Sequence, residues 1–272
     1  AAHMLHSLSL SCGSIIVSFF PQLQTALWSL VSSRSLRILK STADAISAYT
    51  RSISKYGRNY LNEYMDFFSK VCIKLLSSED PISQYGSLCL FEELINEYPD
   101  YFVPNFINLL KYIAESTEEK PVIVKGQAFI VIASLSAVNP VGFVESIAEE
   151  FFQNVEEMLL EFPVEVTRSL CRLCKNIPDF ISGHDDGISK IEQLKDYAYK
   201  LVDQEPDSAF RLLTTIFDCF QLKSLPIKKE LMAKLIDLPL SEDYKNFLIS
   251  LRLILSFGSN LIIKMPKKFQ HN

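Results

Sequence analysis

Two short constellations in this 272-residue sequence have residue types and spacings that could do chemistry. Cys171-Arg172-Leu173-Cys174 sets two thiols at the C-x-x-C spacing used by zinc knuckles and redox dithiols. Gly183-His184-Asp185-Asp186-Gly187 puts an imidazole beside two carboxylates, a fragment of a metal site. Neither is complete. Structural zinc takes four ligands, and no second Cys pair accompanies the first. A redox dithiol opens a helix after a strand, whereas Cys171 and Cys174 lie inside a helix-spaced apolar run. The His184 group would need ligands brought from elsewhere; as a loop it explains itself, with Gly breaking the chain and Asp capping the next helix. Core cysteines and a capped loop are expected, with no metal, no cofactor and no catalytic residues. The sequence also lacks a glycine-rich phosphate loop, a nucleophile elbow and an HExxH motif, so an enzyme is not expected. Trp28, the only tryptophan, reads as a packing residue of a capping helix.

The rest of the chain must therefore be read for what it builds. A hydrophobic content of 48% with only 8 Gly excludes a disordered or collagen-like chain. The six cysteines fall mostly in apolar runs and read as reduced thiols of an intracellular protein, cytoplasmic or nuclear. Residues 1–4 read as an expression scar. Leu5 to Val31 is apolar and lacks Lys or Arg, but Pro21, Gln22, Gln24 and Thr25 interrupt it short of the roughly 20 apolar residues of a span. A secretory signal would carry a positive charge near its start, and the first Lys or Arg is Arg34. A short helix, a break and a second helix are expected there, with no membrane span.

Helical periodicity runs through the sequence. Leu61, Tyr64, Met65, Phe68, Val71, Cys72 and Leu75 lie on one helical face. Val144, Ala148, Phe151, Val155, Met158 and Phe162 form a second stripe, opposed by Glu145, Glu149, Gln153, Glu156 and Glu157. No run of short alternating strands occurs, and the fold class is all-α.

Four prolines set these helices in phase. Pro81, Pro121, Pro163 and Pro206 are separated by 40, 42 and 43 residues. Aligning them aligns the apolar columns. Leu88, Ala128, Leu170 and Leu213 come seven residues later, Phe91, Val131, Leu173 and Ile216 ten later, and Ile95, Leu135, Ile177 and Phe220 fourteen later. Those offsets share one helical face, so each proline is expected to open a helix, where its missing N–H costs nothing. Asp80 is the natural cap of the first. Partner helices are expected near 61–77, 102–116, 143–161 and 187–204. Their turns carry a second signature: Pro99-Asp100-Tyr101-Phe102, Pro140-Val141-Gly142-Phe143 and Pro178-Asp179-Phe180.

Helix pairs repeating about every 40 residues are the period of HEAT and armadillo arrays. From about residue 22 to 256 the chain resembles the HEAT-type α-solenoid superfamily. In that superfamily's second helix a small residue often follows a basic one, as in Val124-Lys125-Gly126-Gln127-Ala128. Arg168 and Arg211 instead occupy the column of Gly86 and Gly126. The resemblance implies a right-handed α-solenoid of about five to six HEAT-like hairpins. Capping helices would fill 5–60, repeats 61–99, 100–140, 141–178 and 179–220, a C-terminal capping repeat 221–257 and a basic tail 258–272.

Charge is uneven along the chain. Residues 1–75 hold 8 basic and 3 acidic residues, residues 76–165 hold 3 and 16, and residues 166–272 hold 16 and 13. The acidic middle points to a solvated face or a docking surface for a basic segment of a protein partner, with Glu92, Glu93, Glu97, Glu145, Glu149, Glu156 and Glu157 as its candidate residues. Phosphate backbones would be repelled there, so nucleic acid is not the expected partner. The leading reading is a non-catalytic scaffold or adaptor, a subunit or fragment of a larger assembly. A HEAT-like nucleic-acid module or DNA glycosylase would want one basic groove, yet the best basic clusters, Arg34, Arg37 and Lys40 against Lys264, Lys267 and Lys268, lie at opposite ends. A tubulin-binding array would want basic and aromatic turns, where this chain has Glu79-Asp80, Glu118-Glu119 and Glu205.

Overall fold

A computed structural model describes residues 14–31, 33–117, 119–183 and 190–220, with Met4, Ser7, Leu8, Ser11 and Cys12. Among these residues every regular element is helical and none is a strand. The chain divides into two compact units, Ala1–Ala148 and Glu149–Asn272. The expected repeat 141–178 contains that division. The expected capping repeat 221–257, the tail 258–272 and the loop residues 184–189 lie outside the described residues.

The first unit holds α1 (Ser14–Val17), α2 (Phe20–Val31), α3 (Leu36–Tyr56), α4 (Arg58–Leu76) and α5 (Pro81–Glu97). A 3-10 turn (Pro99–Asn105), α6 (Phe106–Thr117), α7 (Val122–Leu135), α8 (Pro140–Phe143) and a π turn (Val144–Ala148) complete it. The second holds α9 (Glu149–Glu161), α10 (Pro163–Asn176), α11 (Pro178–Ser182), α12 (Lys190–Leu201) and α13 (Pro206–Phe220). Two expected helices are thus more broken than their apolar stripes suggest. The one from Phe102 begins in 3-10 geometry, and the one from Phe143 contains the π turn. The N-terminal break falls at Ser18–Phe19, two residues before Pro21.

Pro81, Pro163 and Pro206 each stand at the first helical position, while Pro121 is one residue earlier, as the cap of α7. Asp80 caps α5 through its carboxylate, which accepts from the Ser83 amide at 3.2 Å, the Ile82 amide at 3.4 Å and the Ser83 hydroxyl at 2.7 Å. The Ser83 hydroxyl, ahead of the backbone donors, holds this carboxyl below its ordinary range. Asp80→Ala should therefore cost about 0.5–2 kcal/mol of stability at neutral pH in urea unfolding. Because the folded-state value is depressed, the cap's contribution is present above the unfolded carboxylate range and is lost as pH falls through the folded one. The gap between wild type and Asp80→Ala should accordingly narrow in acid; a gap that widens would contradict the capping role.

The aligned apolar columns are buried. Leu88, Ala128, Leu170 and Leu213 are no more than 2% exposed, and so are Phe91, Val131, Leu173 and Ile216. Ile95, Leu135 and Ile177 are buried too, while Phe220 is half-buried. Full burial of each Leu contributes about 1.5–3 kcal/mol. In the first unit α5 packs against α3, α4 and α7, so it is covered on nearly every side rather than along one stripe. The contact with α3 is close: a Cβ on Gly86 would lie 3.0 Å from Leu39 Cδ2. Polar ties cross the same layers. Ser87 donates to the Cys72 carbonyl at 2.7 Å, and the Gln84 amide donates to the Ser78 carbonyl at 2.7 Å. In the second unit α10 lies against α13, α9 packs on α10 and α12 on α13.

Candidate functional site

The candidate carboxylates do not share one environment. Glu92, on α5, is 4% exposed and accepts from the Gln127 side-chain amide of α7; it is a core residue and leaves the expected docking set. The helix period that put it among the acidic residues does not tell an outer face from one covered by a neighbouring helix. Glu97 accepts from the Ser47 hydroxyl at 2.8 Å and from Arg51 Nε at 2.9 Å, so α3 occupies it. That hydrogen bond and the charge of Glu97 raise the already high Arg51 guanidinium further. Glu93 is half-buried near Arg51, and Glu145 is exposed in the π turn.

Within the second unit, α12 meets two carboxylates of α9. Lys190 Nζ donates to Glu149 Oε1 at 2.9 Å, and Lys200 donates to Glu156. The Lys190 ammonium also sits 4.5 Å from the centre of the Phe180 ring, and its side chain is 15% exposed. Glu157 is exposed, as are Glu150 and Glu161 on the same helix. Charge in this acidic stretch is thus partly met by lysines that lie 41 and 44 residues later.

The C-x-x-C thiols are core groups, as expected. Cys171 and Cys174 are buried, and desolvation pushes both thiols up, which keeps them protonated. Cys171 Sγ accepts from the Thr215 hydroxyl at 3.3 Å. Among the described residues no group of three or more His, Cys, Asp or Glu is placed to hold a metal ion. His184 lies outside the described residues. Trp28 falls on α2.

A polar cleft of about 440 Å³ opens between α10 and α13. Arg168, Arg172 and Lys175 line it from α10; Arg211, Thr214, Thr215 and Asp218 line it from α13, over a floor at Cys171. Positions 168, 172 and 175 share one helical stripe, and 211, 214 or 215, and 218 repeat the pattern. At the N-terminal ends of the two helices a recess of about 170 Å³ adjoins it, sharing Arg168 and Arg211 and adding Thr167, Glu205, Asp207 and Ser208. This cleft was not among the sequence candidates. Its signal was present in the column where Arg168 and Arg211 replace the glycines of the earlier repeats.

In the first unit a more apolar groove of about 480 Å³ runs along Ile73, Phe91, Phe102 and Leu109. Part of its polar edge is paired internally. Tyr101 donates to Asp66, and the Tyr112 and Ser77 hydroxyls are 2.7 Å apart. Burial, then the Asp66 carboxylate, pushes the Tyr101 hydroxyl up to about 12. Among the described residues no helix is long and apolar enough to cross a membrane. No family model, curated protein or solved structure matches this chain.

Proposed function

We propose that the chain is a non-catalytic scaffold for another protein, built as a right-handed α-solenoid of HEAT-like hairpins and working inside the cell. The observation that supports this most is the packing of like on like within each unit. Helices opened at the recurring prolines lie side by side, α5 on α7 in one unit and α10 on α13 in the other, each backed by its hairpin partner. Stacked helix pairs of this kind bury their columns against neighbours and leave long helix faces for other chains.

On α9 the acidic docking surface of this reading narrows to the exposed carboxylates with no lysine across from them among the described residues, Glu150, Glu157 and Glu161, and Glu145 stays exposed in the π turn of the first unit. A basic segment would be steered there by charge, with an affinity that falls as salt rises. Fluorescence anisotropy with a labelled lysine- and arginine-rich peptide tests it. Changing Glu150, Glu157 and Glu161 together to Lys should weaken binding by about tenfold or more at low salt while the melting temperature holds. Equal affinity for wild type and the triple variant would return these residues to a role in solubility alone.

A further inference from the structure

The charge pattern of the cleft between α10 and α13 selects a kind of ligand. From the N-terminal ends of the helices onward, its lining begins at Glu205 and Asp207, passes Arg168, Arg211 and Arg172, and ends at Lys175 and Asp218. Positive charge is concentrated in the middle, and carboxylates stand at both ends. The three cations of α10 span only about 10 Å at the helical rise. That is room for one or two anionic groups. A long polyanion such as a nucleic-acid strand would run onto the carboxylates at either end.

The middle suits a phosphate. Guanidinium forks bind its oxygens in pairs, and clustered arginines are the common solution for phosphorylated segments. The recess that shares Arg168 and Arg211 holds a second indication. Thr167 is 1% exposed, lines this recess, and its hydroxyl has no hydrogen-bond partner among the described residues. A buried hydroxyl without a partner is uncommon in folded proteins, and a phosphate oxygen would accept from it. Ser208 lines the same recess.

The geometry points to a docking site for a phosphorylated serine or threonine in a segment of a partner protein. Arg168, Arg211 and Arg172 take the phosphate, and neutral or basic residues on either side of it meet the terminal carboxylates. The inference rests on the protein-binding reading only in taking the ligand to be part of a partner; it does not use the acidic surface of α9. Failure there and failure here would therefore be separate results, read with different peptides.

The test is an anisotropy titration of the full chain with a short labelled peptide carrying one central phosphoserine and a lysine on each side. The same peptide without phosphate, inorganic phosphate and a single-stranded oligonucleotide serve as competitors. The expected result is saturable binding of the phosphopeptide, with the unphosphorylated peptide binding about a hundredfold more weakly. Arg168→Gln and Arg211→Gln should each weaken it by about tenfold, and Thr167→Val by about threefold. Lys125→Gln, in the other unit, should leave it unchanged. Arg211 is exposed, so its substitution leaves the core intact; the comparison of the two peptides needs no variant at all. Equal binding of both peptides, or no binding of either, overturns the proposal. So does competition by inorganic phosphate at the peptide's own concentration, or preference for the oligonucleotide.

Discussion

Leu170→Asp unfolds the unit that contains it. Leu170 has no exposed surface and lies in the column seven residues past Pro163, on the helix that packs against α13. Removing a buried leucine side chain alone costs about 2.7–5.0 kcal/mol when the site cannot collapse. The carboxylate adds a burial penalty of several kcal/mol at a position with no exposed surface. The total rivals the whole stability of a typical domain, about 5–15 kcal/mol. Circular dichroism should show the variant largely unfolded at room temperature, or melting far below wild type. Glu149→Ala, one helix earlier, removes an exposed carboxylate and its pair with the largely covered Lys190, which keeps its place beside the Phe180 ring, and should change stability by only about 1 kcal/mol. Similar melting curves for the two variants would mean that the inward and outward faces have been assigned the wrong way round.

Gly86→Arg is the second large effect, and its interest lies in the comparison with Gly86→Ala. Position 86 shares its column with Arg168 and Arg211, so the change installs the residue that later helices carry there. In α5 this position faces α3, with Leu39 Cδ2 only 3.0 Å from a built Cβ, whereas Arg168 and Arg211 line an open cleft. A guanidinium cannot leave for water without parting α3 from α5, and the expected loss is about 3–5 kcal/mol or more. Alanine needs only a few tenths of an ångström from the flexible end of Leu39, and it gains about 0.5–1 kcal/mol in helical backbone freedom over glycine. Gly86→Ala should therefore stay within about 1 kcal/mol of wild type in urea unfolding. If Gly86→Arg were equally benign, the close seam between α3 and α5 would be wrong.

These two sites mark how much the sequence disclosed. Proline spacing and apolar offsets located the buried columns, because a helix that must hide one side has to repeat its hydrophobic residues at the helical period. They also located Asp80, because a cap sits next to the start it serves. Other features depend on contacts that no local period encodes. Glu92 looks like an outer-face residue until α7 covers it and Gln127 supplies an amide. Glu149 and Glu156 look available until Lys190 and Lys200 arrive from α12. The 3-10 and π turns preserve the apolar stripe while changing the local winding, so the stripe alone could not reveal them. The basic cleft was written in the substitution of glycine by arginine at one column, which reads as a lapse in a repeat until two helices bring both side chains to one groove.

The buried pairing of Glu92 with Gln127 reaches beyond the stability of one seam. Hydrocarbon surfaces tolerate sliding, but a carboxylate inside a core accepts only the lengthwise placement that keeps its amide opposite. The acid is not repeated in its own column: the residues eleven past the later prolines are Ile132, Cys174 and Phe217. A hairpin excised here and spliced elsewhere would arrive with its acid stranded. The seam between α5 and α7 therefore works as a key cut for one lock, admitting a single register.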